Sequence, residues 1–173
     1  MRVPIRKPGK YTHQKPDFHL TREKLDELKN KLERLKKISH PQARVEMQRT
    51  AEMGDFSENA AYQVAKGRLR GINNRIEELE KYIDHAEIIE TGGNADTVQL
   101  GQKVTVEIGG KQKTYTILGS LEVDPQKGII SPSSPIGSVL MGHKVGDAVR
   151  LKLADDDVEC RILAIEAFKN PRF

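Results

Sequence analysis

Two apolar seams at heptad spacing, separated by one short break, constrain this chain more than any other feature. In LTREKLDELKNKLERLKKI, Leu25, Leu28, Leu32 and Leu35 follow at steps of 3, 4 and 3. After the break, Tyr62, Ala65, Leu69, Ile72, Ile76, Leu79, Ile83 and Ala86 step 3, 4, 3, 4, 3, 4, 3, and almost every residue between them is polar or glycine. Such a repeat lays a narrow apolar stripe along a helix, and that stripe has to meet another helix. With Gly54 between the seams, folding the arms back on each other is simpler than pairing two chains in parallel. The expectation is a monomer with an antiparallel coiled-coil hairpin over residues 20–90 and a tip near 54–58. Each arm would be about 45–50 Å long at about 1.5 Å per residue. Thr21 is an acceptable N-cap, but Lys24 at the third helical position denies it a full capping box. Pro41 interrupts the first seam, which predicts a kink or a short break before QARVEMQRTAEM resumes as helix.

Beyond the hairpin the period changes. Residues 91–97, opening on TGGNAD, read as a linker. From residue 98 to 173 the pattern alternates. KVTVEI, Gly-Gly and KQKTYTIL read as a hairpin, KGIIS as a third short strand, AVRLKL and VECRILAIEAF as two more. SSPIGSVLMG reads as a turn and a short helix with Pro135 near its start. The fold class is α+β: a helical hairpin followed by a small, mainly antiparallel sheet domain with one short helix.

Composition agrees with that division. Hydrophobic residues make up 36% of the 173, with four Phe, four Tyr and no Trp, which is thin for one large core but suits paired helices and a small sheet. The net charge of +4 lies in the first 20 residues, where Arg2, Arg6, Lys7, Lys10 and Lys15 face only Asp17, and the remainder is balanced. Residues 1–19, with Pro4, Pro8, Gly9 and Pro16, read as a flexible basic arm, either a contact for nucleic acid or an acidic partner surface, or a solubilising tail. The single cysteine, Cys160, excludes an internal disulfide framework and fits a reducing cytoplasm. No apolar run is long enough to span a membrane.

The break itself reads GDFSENAAY, residues 54–62. Asp55 and Glu58 stand three apart. As Asp-x-x-Glu opening a helix they form a variant capping box. As two carboxylates on one helix face, about 5–6 Å apart at Cβ, they can also share one hard cation. Mg²⁺ takes one or two carboxylates and completes its shell with water and phosphate oxygens. Two acids do not make a tight site alone, but they complete one whose other ligands come from a partner. Behind them the distal arms are basic, with Arg44, Arg49, Lys66, Arg68, Arg70 and Arg75 and no acid between Asn59 and Ile76. That collar is either a cradle for a nucleic-acid strand or a solvated face. No Ser-His-Asp grouping, metal-spaced Cys or His cluster or phosphate loop occurs.

The segment GDFSENAAY, set between two such arms, resembles the bacterial transcript-cleavage factors of the GreA/GreB family. Gly54, Asp55, Glu58, Asn59, Ala60 and Tyr62 match the family's tip motif. DPQKGIISPSSPIGSVLMGHKVGD is similar to the family's FKBP-like domain. The resemblance covers roughly residues 20–168. The first 19 residues extend beyond the usual start, KGRLRGINNRI is closer to GreB, and Ser138 stands where a basic residue is frequent. The resemblance implies that Ser134, Pro135 and Ile136 grip RNA polymerase. It also implies that the hairpin enters the polymerase's secondary channel, and that Asp55 and Glu58 help hold Mg²⁺ beside the polymerase's own carboxylates. There they would promote hydrolysis at the 3′ end of backtracked nascent RNA, with Arg44, Arg49, Lys66, Arg68 and Arg70 facing the strand. The chain alone would be no enzyme. The competing readings are a related channel regulator that inhibits, an FKBP-type isomerase or chaperone with a helical arm, and a structural coiled-coil adaptor. The isomerase is disfavoured, because residues 97–173 hold only Tyr115, Phe168 and Phe173 to line an aromatic pocket.

Overall fold

A computed structural model of the chain describes residues 17–52, 60–90, 96–152 and 157–168. Thr21 starts the first helix, α1 (Arg22–Arg34), by accepting the Lys24 N–H on its hydroxyl at 3.3 Å. The chain passes from α1 through one π-helical turn, Leu35–Ser39, directly into α2 (His40–Ala51). The return arm is α3 (Ala60–Asp84), 25 residues or about 37 Å at 1.5 Å per residue. All eight positions of its seam are buried or half-buried, while nearly every residue between them is exposed. The arms run antiparallel: Leu28 and Leu79 share one apolar cluster at the base, and Glu46 pairs with Arg68 farther out.

Pro41 therefore neither breaks the helix nor ends the seam. The turn before it holds one extra residue, so beyond Leu35 the stripe passes through the half-buried Ser39 and His40 and continues one residue late, on Ala43, Met47 and Thr50. A strict heptad would have continued through Gln42 and Glu46, which are exposed.

Two short strands, β1 (His19–Leu20) and β2 (Glu87–Ile88), pair in parallel where the arms meet the rest of the molecule. The arm expected over residues 1–19 thus joins the fold before its end, and its first 16 residues lie outside the described ones. Phe18 sits against the end of α3, with its ring 5.5 Å from Tyr82 and 5.2 Å from His85.

The sheet domain has five strands in the order β5-β4-β3-β7-β6. They are β3 (Gln102–Ile108), β4 (Lys111–Ile117), β5 (Ile129–Ile130), β6 (Ala148–Lys152) and β7 (Asp157–Ala167). All neighbours are antiparallel except β4 and β5, which are parallel. Gly109 and Gly110 turn β3 into β4 with φ of 56° and 75°, the left-handed pair that a tight hairpin turn requires. Val98, Val104, Val106, Ile117, Leu140, Cys160 and Ile162 form the core beneath a short helix, α4 (Pro135–Leu140). Burial pushes the Cys160 thiol above its ordinary pKa, so it serves as an apolar filler and stays a thiol.

Candidate functional site

Asp55 and Glu58 lie outside the described residues, as do Gly54 and Asn59. Their place in the chain is still defined, because they join the last turn of α2 to the first turn of α3. Those ends lie far from the sheet domain, about 45 Å from Thr21 along the 30 residues of the first arm. Of the motif, Ala60 and Tyr62 are described. Tyr62 packs half-buried in the seam, and the Lys66 ammonium sits 5.9 Å from its ring centroid.

The five expected strand-binding residues are all exposed on the distal arms: Arg44 and Arg49 on α2, Lys66, Arg68 and Arg70 on α3. They differ in one respect that sequence reasoning missed. The Arg68 guanidinium donates to Glu46 of the facing arm at 2.8 Å, so part of its charge is balanced. Aligning the arms in antiparallel register would have revealed that pair. Arg75 is likewise paired, with Glu78 one turn along its own helix.

The segment expected to meet a polymerase opens α4. Ser134 caps this helix, accepting the Gly137 N–H at 2.9 Å, so its hydroxyl is already engaged. Pro135 is exposed, and Ile136 leans half-buried against the core. Gly137 has no room for a side chain, since a Cβ there would meet the Ser131 carbonyl oxygen at 2.1 Å. Next to this loop, a groove of about 390 Å³ runs between the domain and the base of the hairpin, with Leu100, Pro132, Met141 and His19 in its walls.

A short strap, residues 17–21, ties the hairpin base to the sheet domain. The Asp17 carboxylate accepts from the Ser120 N–H at 2.8 Å and its hydroxyl at 2.9 Å. It also accepts from the His19 ring at 2.8 Å, and the other ring nitrogen faces Glu87 at 3.1 Å. Burial pushes the Asp17 carboxyl up. Hydrogen bonds from the His19 ring, the Ser120 and His19 backbone and the Ser120 hydroxyl outweigh that and hold it below its ordinary value.

The two parts of the chain match two family models in order. The first, a transcription elongation factor N-terminal domain, covers residues 18–88, and the second, the GreA/GreB C-terminal domain, covers residues 93–167. The chain belongs to the GreA/GreB family of transcription elongation factors. GreA of Thermomicrobium roseum is 38% identical over 149 residues, covering 85% of this chain and 96% of that one. GreA of Lactococcus lactis subsp. lactis is 40% identical over 152 residues, covering 86% and 97%. Among solved structures, the GreA factor homolog Gfh1 of Thermus thermophilus is 28% identical, covers 86% of this chain and 98% of that one, and superposes with a TM-score of 0.40. As a GreA/GreB factor the chain carries the family's hairpin and sheet domain over most of its length. Among its described residues no helix is long and apolar enough to cross a membrane.

Proposed function

We propose that this elongation factor stimulates RNA polymerase to cleave the 3′ end of backtracked RNA, and that Asp55 and Glu58 are the groups it donates. The sheet domain docks on a cytoplasmic bacterial polymerase through the α4 loop, with Pro135 outermost. The hairpin enters the secondary channel and carries the acids to the reacting phosphodiester. The observation that supports this reading most is positional. Two carboxylates three residues apart stand in the chain between the ends of two long arms.

The donor set fits Mg²⁺, because both groups are hard, anionic oxygen ligands and their number is what this ion takes from protein. Bound between these acids and the polymerase's carboxylates, the ion would supply charge stabilisation at the phosphate and a more acidic water. The chain's own residues do the rest. The paired seams hold the two arms together, and the acids add negative charge only where a partner completes the shell. Arg44, Arg49, Lys66 and Arg70 line the approach with positive charge for the displaced RNA strand. Arg68 contributes less, being shared with Glu46.

The test uses a stalled, backtracked elongation complex. Adding the protein is expected to shorten the RNA and free a 3′ fragment, and the protein alone is expected to leave naked RNA intact. RNA that stays full-length at saturating protein would overturn the proposal.

A further inference from the structure

The first helix is capped by the other domain. In a complete capping box the N-cap's own N–H is satisfied by an acid at the third helical position. That position is Lys24 here. The acid comes instead from Glu122, 101 residues away, which accepts the Thr21 N–H at 2.7 Å on one oxygen and the Thr21 hydroxyl at 2.7 Å on the other. Thr21 is buried, 4% exposed. Four residues earlier, Asp17 takes both Ser120 donors, the N–H and the hydroxyl, on a single carboxylate oxygen. Between these points the strap lies so close that a Cβ on Gly119 would sit 1.7 Å from the His19 carbonyl oxygen. Leu121 packs into the hairpin's basal cluster of Leu20, Leu28 and Leu79.

Two carboxylate clamps, one on each chain segment and pointing in opposite directions, tie the strap to the sheet domain at two separate points and so resist rotation as well as separation. A long arm needs such a base. A swing of about 5° over about 45 Å of helix moves the far end by about 4 Å. Misplacing a reacting group by about 1 Å can cost on the order of 100-fold in rate. We infer that Asp17 and Glu122 are positioning residues: they fix the direction of the hairpin relative to the docking domain, and so aim Asp55 and Glu58. This inference rests on the function proposed above, but its geometric half does not.

The test has two readouts. Spin labels on cysteines introduced at the exposed Val64 and Val145 report the angle between hairpin and sheet domain, and the buried Cys160 stays unlabelled. The wild-type background is expected to give one narrow distance distribution. Glu122→Ala is expected to broaden it, and adding Asp17→Ala to broaden it further. Glu122→Gln keeps the side chain's size and one acceptor, so its distribution falls between, and it guards against loss of folding. In the backtracked-complex assay, Glu122→Ala is expected to lower the maximal cleavage rate by roughly 10-fold or more while the half-saturating concentration stays put. Distance distributions that superimpose on wild type in all variants would overturn the inference, and so would full cleavage by a broadened variant. Absence of cleavage with wild type would sink the proposed function and leave the distance result to decide the joint.

Discussion

The His40 N–H donates to the carbonyl of Leu35, five residues back instead of four. Pro41 follows it. In a regular α-helix the proline ring would press on the carbonyl of Lys37, and the missing N–H would leave that carbonyl without its partner. The wider π turn relieves the clash and adds one residue, which moves the seam onto Ala43, Met47 and Thr50. Ile38, carried to the outside, is 49% exposed.

Deleting Ile38 is therefore expected to keep the seam in register but force Pro41 into a regular helix, at a cost of about 3 kcal/mol. Combining the deletion with Pro41→Ala should restore stability to near wild type. Urea unfolding of the three proteins checks this. Equal losses in the single and combined variants would contradict the role given to the proline.

Glycines on the two sides of the molecule should respond in opposite directions. Gly67 and Gly71 lie inside α3, and a methyl added to either would meet nothing within 4 Å, so alanine at each is expected to stabilise by about 0.5–1 kcal/mol. Gly119→Ala would drive a methyl into the His19 carbonyl, where neither partner can swing away. It is expected to cost about 1–3 kcal/mol and to speed amide exchange at Thr21 and Ser120. Thermal unfolding with amide exchange reads both effects.

The Asp17 clamp gives a pH dependence with a definite sign. Its carboxyl titrates lower in the folded protein than its ordinary value. Its contribution is thus fully present above the unfolded pKa of about 3.9 and is lost as pH falls through the lower folded value. Asp17→Asn should be less stable than wild type at about pH 5, and the margin should have begun to shrink at about pH 3. A margin that is constant down to that pH would contradict the clamp.

Much of this architecture is legible in the order of residues. A 3-4 repeat leaves a helix one face to bury, so the eight seam positions from Tyr62 to Ala86 can be named in advance. Gly-Gly between alternating strands, and Ser-Pro before a short apolar run, announce their turns by their own backbone chemistry. What stays hidden is what depends on distant partners. Thr21 and Glu122 are 101 residues apart and share no local pattern; the missing acid at Lys24 is the one trace of their contact. Glu46 opposes Arg68 only once the arms are set in register, and β1 and β2 are too short for any period. As a bare Asp-x-x-Glu, Asp55 and Glu58 would read as a helix cap; they are singled out by the motif GDFSENAAY and its place between two long seams. Their chemistry depends on a partner that the chain does not contain.

The central claim is that Asp55 and Glu58 act in the reaction and not in docking. The measurement is the rate of RNA cleavage in a backtracked complex as the factor is titrated, for wild type, Asp55→Ala, Glu58→Ala and the double variant. The account predicts that each variant half-saturates near the wild-type concentration while its maximal rate falls by roughly 100-fold or more, the scale seen when a group stabilising transition-state charge is removed. Full cleavage by the double variant would contradict it.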